Sequence, residues 1–327
     1  MTQPASAVSV LGLTKRFGST LAVDGLTFEV KRGGIFGLVG PDGAGKSTTI
    51  RLLTGTMRPS AGRAVVAGCD VASNPEGVRA RVGYVAQHFA LYGDLTVAEN
   101  LAFFADIFGV PQVVRPRRTA ELLAFSRLAE HSTRLADQLS GGMKRKLALA
   151  CALIHRPEVL FLDEPTAGVD PLSRRELWQI LGRLLGDGLT IVLSTAYMDE
   201  AERCHDLAFL SDGRLVASGA PDALRRLVAD RIYEVRGQPL RLARALAQEM
   251  VGATAVRSLG DRLRVFARPG VHLADAFWER MREHGVGGLD VREVTPSMED
   301  VFVTLRQSHG TSPLAGRDAR DGPGGQA

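Results

Sequence analysis

Runs of consecutive apolar residues alternate with amphipathic segments over the first 220 residues of the chain. The segments "GGIFGLVG" (33–40), "EVLFLD" (158–163) and "TIVLST" (190–195) are apolar and do not alternate with polar positions. Parallel strands show this pattern when helices cover both faces of their sheet. The first two thirds of the chain therefore predict an α/β fold with a buried parallel sheet.

A helical pattern interrupts the strands between about residues 88 and 140. The segments "LTVAENLAFFADIFGV" (95–110) and "RRTAELLAFSRLAEH" (117–131) carry apolar residues at helical spacing and predict a helical insertion. Further on, "FLSDGRLVASG" (209–219) predicts a hairpin that turns at Asp212-Gly213.

A second pattern starts after residue 229. It predicts the order strand, helix, strand, strand, helix, strand, with a hairpin through Gly260-Asp261. A final helix follows, and Ser297 and Asp300 at its start have the spacing of a capping box. This order is typical of a small ferredoxin-like α+β domain at the C-terminal end of the chain.

These patterns divide the chain into two units with short polar ends. We expect a large unit at 8–229, which includes the helical insertion, and an accessory unit at 230–308. The ends at 1–7 and 309–327 are expected to be disordered, because such segments have too few apolar residues to build a core.

The composition of the chain indicates its cellular compartment but no binding partner. The net charge is only +4 over 327 residues, so nucleic acid is not indicated as a partner. Cys69, Cys151 and Cys204 lack metal-ligand spacing and predict reduced thiols of a cytosolic protein. The N-terminus lacks signal-peptide features, and no apolar run approaches the roughly 20 residues that span a bilayer. Any action at a membrane is therefore expected to need a separate spanning chain.

A phosphate-binding loop is predicted after the first buried strand. The segment "GPDGAGKST" matches G-x-x-x-x-G-K-[ST], whose glycines let backbone N–H groups converge on phosphates at a helix N-terminus. Lys46 is expected to reach the β- and γ-phosphates, and the Ser47 hydroxyl to bind Mg²⁺. The residues expected to contact the nucleotide are Gly40, Asp42, Gly43, Ala44, Gly45, Lys46, Ser47 and Thr48.

Two carboxylates end the strand in "VLFLDEP" (159–165). Asp163 is placed to hold Mg²⁺ directly or through water, and Glu164 to polarise an attacking water. By itself, an apolar run ending in Asp-Glu is common and is typical of an exposed strand end. After a phosphate-binding loop it indicates nucleotide hydrolysis. A phosphotransferase would also need an acceptor pocket, which the sequence does not indicate.

A second anion-binding helix start is predicted at "LSGG" (139–142), where Ser140, Gly141 and Gly142 offer a hydroxyl, free N–H groups and a helix dipole. Because the phosphate loop already offers N–H groups to the nucleotide of this chain, the second anion-binding helix start is expected to serve the nucleotide of another subunit. In these motifs and their order, residues 8–225 resemble the nucleotide-binding subunit of an ATP-binding cassette (ABC) transporter. The resemblance implies a P-loop NTPase fold.

The resemblance implies a role for each matching residue, with ATP and Mg²⁺ as cofactors. Gln87, in "YVAQHF", corresponds to the Q-loop glutamine, which senses Mg²⁺ and contacts the coupling region of the membrane subunit. Phe17 corresponds to the ring that stacks on adenine, and Lys46 and Ser47 belong to the Walker A motif. Asp163 corresponds to the Walker B aspartate and Glu164 to the catalytic glutamate. The signature that completes the partner's site corresponds to Ser140, Gly141 and Gly142, and the D-loop ends at Asp170.

The whole chain is similar to the ATPases of drug- and antibiotic-efflux exporters. That similarity implies a head-to-tail dimer around two ATP molecules, with a second ATPase subunit that is the same or a different chain. It also implies a separate transmembrane permease, a location on the cytoplasmic face of the cell membrane, and no nucleic-acid partner.

Ala196 departs from the family's pattern. The family has a histidine at this position, which bridges the γ-phosphate, the catalytic glutamate and the opposite subunit. His205 falls in a predicted helix, and His88 and His155 fall in segments that the family does not use for this role. The resemblance implies that alanine recurs at this position in one ATPase half of some exporters of this group, beside a second half that keeps the histidine. It is a natural variant and not proof of inactivity, and it leaves both an equal and an unequal partner open.

Three classes of function follow. The first is an ATP-hydrolysing, energy-coupling subunit of a bacterial exporter. The second is a regulatory nucleotide-binding subunit, in which Ala196 allows dimerisation but little turnover. The third is a soluble ABC ATPase that acts on nucleic acid or ribosomes. Such proteins carry two cassettes or long coiled-coil insertions, and neither is indicated here.

Overall fold

The computed structural model describes residues 6–87, 90–284 and 288–308. The strands are β1 (Ser6–Phe17), β2 (Thr20–Lys31), β3 (Ile35–Val39), β4 (Ala61–Val66), β5 (Cys69–Asp70), β6 (Val82–Val85), β7 (Val159–Asp163), β8 (Thr190–Thr195), β9 (Asp206–Ser211), β10 (Arg214–Gly219), β11 (Arg231–Arg236), β12 (Ala253–Leu259), β13 (Arg262–Ala267) and β14 (Asp290–Val294). The helices are α1 (Lys46–Leu53), α2 (Pro75–Arg79), α3 (Val97–Ile107), α4 (Arg115–Ser126), α5 (Gly141–Ala152), α6 (Pro171–Gly186), α7 (Met198–Ala201), α8 (Pro221–Arg225), α9 (Leu240–Gln248), α10 (Leu273–Glu283) and α11 (Met298–Ser308).

A six-stranded sheet with the order β10-β9-β3-β8-β7-β6 forms the centre of the large unit. Its neighbouring strands from β9 to β6 are parallel, and β3, β7 and β8 are buried along their whole length. The parallel α/β prediction is therefore confirmed. The predicted hairpin is also present: Asp212 and Gly213 both have positive φ in the turn that joins β9 to the antiparallel β10.

A second, antiparallel sheet with the order β2-β1-β4-β5 was not predicted. Its strands pack against α1 in a separate part of the core. Residues 6 and 7, which we expected in a disordered end, belong to β1, and the Ala7 side chain is buried. That part of the prediction was wrong, because pairing with β2 and β4 orders the strand from its first residue. The rest of that end and the expected disordered end at 309–327 lie outside the described residues.

Three helices, α3, α4 and α5, lie between β6 and β7 and pack against one another. A capping box starts α3: the Thr96 hydroxyl accepts from Glu99 N at 3.2 Å, and the Glu99 carboxylate accepts from Thr96 N at 2.8 Å. This reciprocal pair satisfies two backbone donors that a helix start leaves open. Within the described ranges, no helix combines the length and apolar character needed to cross a bilayer.

The C-terminal unit contains an antiparallel sheet with the order β12-β13-β11-β14. The helices α9 and α10 cover one face of this sheet and share a core with it, in which Val235, Val265, Phe277 and Met281 are buried. The predicted turn at Gly260-Asp261 joins β12 to β13.

The last helix, α11, packs against the large unit, on α7, α8 and β10. Met298 and Val301 are fully buried there, and the Phe302 ring lies 5.2 Å from the Phe209 ring, centroid to centroid. At its start, the Ser297 hydroxyl and the Asp300 carboxylate form the predicted capping box. By packing, this helix belongs to the core of the large unit and joins the C-terminal unit to it.

Phe302→Ala is expected to lower the free energy of unfolding by about 3–5 kcal/mol, because it empties a buried site between α11 and β9. Val251→Ala is the control: Val251 is 96% exposed, so its truncation should change stability by less than about 0.5 kcal/mol. Urea unfolding of the whole chain measures both. Equal midpoints for the two variants would contradict the packing of α11 on the large unit.

Candidate functional site

The phosphate loop follows β3 and is shaped by close backbone contacts. A Cβ at Gly40 would lie 2.3 Å from the Leu210 carbonyl oxygen, and one at Gly45 would lie 2.5 Å from the Ala22 carbonyl oxygen. Gly45 also has a φ of 96°, which residues with a side chain rarely adopt. These two positions therefore require glycine, and the loop curls tightly enough for its N–H groups to converge.

Lys46 carries a buried positive charge at the floor of this loop. Its side chain is 3% exposed, and Nζ donates to the carbonyl oxygens of Gly40 at 2.9 Å and Pro41 at 3.0 Å. The Glu164 carboxylate lies 3.1 Å from the same atom. A buried ammonium inside a concave loop at a helix start is suited to bind an anion such as phosphate.

The Asp163 carboxylate is held by two hydroxyl groups. Ser47 Oγ donates to Asp163 Oδ1 at 2.9 Å, and Ser194 Oγ donates to the same oxygen at 2.7 Å. Ser194 Oγ also accepts from Glu164 N at 2.9 Å. Ser194 was not predicted from the sequence, although a serine near the carboxyl end of an otherwise apolar strand is a signal that could have identified it. Its contacts depend on the pairing of Asp163 with Ser194 across β7 and β8.

Glu164 is fixed by its backbone and by both carboxylate oxygens. It has a φ of 48°, an uncommon left-handed conformation for a residue with a side chain. Gln87 Nε2 donates to Oε2 at 3.1 Å, and the Lys46 ammonium contacts Oε1. The structure thus brings the predicted glutamate, lysine and glutamine together.

The site is a cavity of about 330 Å³, open to solvent, which holds most of the predicted nucleotide-binding residues. Asp163 lies just below the surface, 2% exposed, and reaches the cavity through Ser47. The residues that line the cavity are Ala22, Asp42, Gly43, Gly45, Lys46, Ser47, Thr48, Gln87 and Glu164.

Phe17 does not line the cavity. It ends β1 with 47% of its surface exposed, and the Lys15 ammonium lies 5.2 Å from its ring centroid. One face of an exposed ring remains available for stacking, so its predicted contact with adenine stays a prediction.

The starts of α5 and α6 also lie outside the cavity. Ser140 caps α5 by accepting from Met143 N at 3.3 Å, and Asp170 caps α6 by accepting from Ser173 N at 2.9 Å. The hydrogen bonds from Ser173 hold the pKa of Asp170 below its usual value. A Cβ at Gly142 would lie 3.2 Å from Ser173 Oγ, so the two helix starts are neighbours. Both are exposed, and the chain does not fold them onto its own phosphate loop.

Ala196 directly follows β8, whose last residue, Thr195, accepts a hydrogen bond from Gly40 N at 3.2 Å. The position thus borders the phosphate loop, where a methyl group can donate no hydrogen bond. His205 cannot replace it, because its Nδ1 accepts from the N–H of Ile35, at the opposite end of β3. His155 stacks on a phenylalanine ring under the helices, where burial lowers its pKa. His88 lies outside the described residues.

Comparison with known proteins accounts for this arrangement. Residues 23–167 match the family described as ABC transporter. The chain is 39% identical to the Nod factor export ATP-binding protein I of Ralstonia nicotianae over 316 residues, which cover 96% of this chain and 95% of that protein. The chain belongs to the ABC transporter family.

Two further members of the ABC family are similar to this chain. It is 41% identical to a probable multidrug ABC transporter ATP-binding protein, YbhF of Escherichia coli, over 94% of its own length but only 53% of that protein, so it spans about half of this relative. A dimeric ATP-binding cassette in a post-hydrolysis state, bound to ADP and Pi, superposes with a TM-score of 0.60 at 25% identity. The match covers 65% of this chain and 98% of the other.

The residues present fit the nucleotide and metal of an ABC protein. The glycine-shaped loop and the buried Lys46 ammonium suit phosphates, and the hydroxyl of Ser47 and the carboxylate of Asp163 are the hard oxygen donors that Mg²⁺ prefers. The described residues contain no group of three or more histidines, cysteines or acids that could hold a metal. Mg²⁺ at this site would therefore also need oxygens from the nucleotide or from water.

Ser194→Ala is expected to lower the free energy of unfolding by about 1–3 kcal/mol, because it removes a partner of Asp163 and leaves the N–H of Glu164 unpaired. Ser211→Ala is a matched control at the end of β9. Its hydroxyl donates to the Asp212 carboxylate, which is exposed and can bind water instead, so its loss should cost less than about 1 kcal/mol. Thermal unfolding measures the difference, and equal costs would contradict a bridging role for Ser194.

Proposed function

We propose that this chain binds Mg-ATP and hydrolyses ATP to power export of a drug-like or other small molecule through a separate membrane subunit. The observation that carries the proposal is the convergence of Lys46, Ser47, Asp163 and Glu164 on one cavity. The printed names of two relatives, a multidrug ABC transporter protein and a Nod factor export protein, favour export over other roles.

Each side chain has a defined task in this proposal. ATP, when bound, would supply the phosphoryl group, and Mg²⁺ would supply positive charge to neutralise the phosphate oxygens. Lys46 exchanges its loop carbonyl partners for phosphate oxygens, and Ser47 and Asp163 hold the metal. Glu164 Oε1 or Oε2 orients the attacking water and accepts its proton. Gln87, already bonded to Glu164, keeps that carboxylate in place.

The proposal includes a head-to-tail dimer. Ser140, Gly141, Gly142 and Asp170 lie at exposed helix starts outside this chain's own cavity. A helix start with free N–H groups stabilises an anion, so these residues would complete the site of a second subunit. The dimeric cassette that superposes on this chain supports such an assembly.

A permease would dock next to Gln87. An apolar cavity of about 520 Å³ opens there between β6 and the helices that follow it. Its lining includes Ala86, Leu91, Phe104, Ile107 and Phe108. In this proposal an apolar segment of the permease would occupy the cavity, beside the residue that contacts Glu164, and the chain would lie on the cytoplasmic face of the cell membrane. We further propose that α3 and α4 form the family's helical insertion and that β11–β14 form a ferredoxin-like domain.

A second function is a regulatory subunit that binds ATP but turns it over weakly, beside a different ATPase subunit. Ala196 favours it, because the methyl group of alanine can neither donate a hydrogen bond to the terminal phosphate nor hold Glu164. Loss of one preorganised donor typically slows chemistry about 10²–10³-fold. The two functions differ in turnover and share the fold and the binding site.

Glu164→Gln is expected to retain ATP and accumulate as a closed dimer, because the amide preserves the shape of the site without accepting a proton. Lys46→Ala should weaken nucleotide binding, because it removes the buried ammonium. Gel filtration at saturating Mg-ATP separates the two. A Glu164→Gln protein that stays monomeric, alone and with a second ATPase subunit, would refute the dimer.

Wild-type turnover is expected to be slow but measurable, and Glu164→Gln should abolish it. Ala196→His should raise it by up to about 10²-fold if neighbouring groups leave room for the ring. The measurement is steady-state phosphate release at saturating Mg-ATP. Bound ATP without turnover in any variant would favour the regulatory function. Fast wild-type turnover that Ala196→His leaves unchanged would show that another group has taken over the histidine's role.

A further inference from the structure

The segment around Ala196 can act on the site only through its main chain and its neighbours. We define residues 195–200 as the switch segment. It joins the phosphate loop through the hydrogen bond from Gly40 N to the Thr195 carbonyl oxygen. Whatever fixes Thr195 and Tyr197 therefore fixes the position of Ala196 relative to the phosphates.

One hydroxyl holds both flanks of Ala196. Thr195 Oγ1 accepts from Tyr197 N at 3.0 Å and donates to Glu200 Oε2 at 2.7 Å. Thr195 and Glu200 are both fully buried. A buried carboxylate is costly unless a positive charge and hydrogen bonds compensate it. The conformation of the switch segment thus depends on the charge partner of Glu200.

That partner is Arg174, which comes from α6. Its Nε lies 3.7 Å from Glu200 Oε1, and over the described part of the chain neither of these buried atoms has a hydrogen-bond partner. The same guanidinium lies 4.4 Å from the centroid of the Tyr197 ring and 3.5 Å from Asp199 Oδ2. One arginine therefore contacts three residues of the switch segment.

Arg174 also belongs to the first turn of α6. Its N–H donates to the Asp170 carbonyl oxygen at 3.0 Å, and the Asp170 side chain caps the same turn. The start of α6 neighbours the start of α5, on the exposed surface that would meet a second subunit. Because a hydrogen-bonded helical turn moves as a unit, a shift at Asp170 displaces the guanidinium that neutralises Glu200.

We propose that Arg174 and Glu200 form a positioning pair that couples the subunit-facing start of α6 to the main chain around Ala196. The inference rests on the proposed function. Neither residue touches the nucleotide. Together with Thr195, they hold the switch segment in place by contacts that do not need a histidine at position 196. Docking of a second subunit at Asp170 would thereby set the segment beside the phosphate loop.

The test uses Arg174→Met, Glu200→Gln and the double variant in the full-length chain. Arg174→Met leaves Glu200 unpaired, so kcat for ATP is expected to fall about tenfold while KM stays within about twofold. The double variant removes both charges and should recover at least about a third of wild-type kcat. Arg183→Met is the matched control, because Arg183 is exposed and lies in the last turn of the same helix, away from its subunit-facing start; its kcat should equal that of wild type.

Amide hydrogen exchange of the switch segment provides a readout that needs no turnover. Exchange there should quicken about tenfold in Arg174→Met and return toward wild type in the double variant. Active wild type with equal kcat in Arg174→Met and Arg183→Met would overturn the pair and leave the proposed function intact. Absence of wild-type turnover would count against the proposed hydrolysis, and amide hydrogen exchange would then test the pair by itself. Equal exchange in Arg174→Met and in the control variant would overturn the pair. If Arg174→Met does not fold, Glu200→Gln replaces it, because it removes the charge that Arg174 neutralises; exchange in the switch segment equal to that of wild type would then overturn the pair.

Discussion

The parallel hydrogen bonding of β3, β8 and β7 places the carboxyl ends of three buried strands at one edge of the sheet, and the site depends on this register. It pairs Val39 with Thr195 and Asp163 with Ser194. The phosphate loop, the two carboxylates and the switch segment therefore start side by side. Because side chains alternate along a strand, a slip of one residue would turn Ser194 away from Asp163.

Charge balance explains why the site holds together before a nucleotide binds. The buried ammonium of Lys46 contacts two loop carbonyls and Glu164, and Ser47 and Ser194 share the Asp163 carboxylate. The buried charges of Lys46 and Asp163 thus both have partners within the chain, as burial demands. The exposed starts of α5 and α6 lie outside the cavity, and in the proposed function they complete the site of a second subunit.

Glu202, two residues beyond the switch segment, contacts the start of α11. Just after α7, the Glu202 carboxylate accepts from Met298 N at 3.1 Å and pairs with Arg225, whose Nε donates to the Pro296 carbonyl oxygen at 3.1 Å. In the C-terminal sheet, Arg264 pairs with Asp300 of α11. The C-terminal unit is therefore joined to the large unit by a helix that begins beside the switch segment.

The sequence by itself determined the phosphate loop, the two carboxylates, the parallel sheet and the turns at Asp212 and Gly260. Each of these depends on a few consecutive residues or on a local apolar period, so it can be predicted without knowing what lies nearby. The N-terminal antiparallel sheet, the bridge made by Ser194, the pairing of Arg174 with Glu200 and the packing of α11 were decided only by the tertiary structure. Apart from the local β1–β2 and β4–β5 hairpins, their partners are separated by tens of residues, and strand register and helix placement alone bring them within hydrogen-bonding or van der Waals distance.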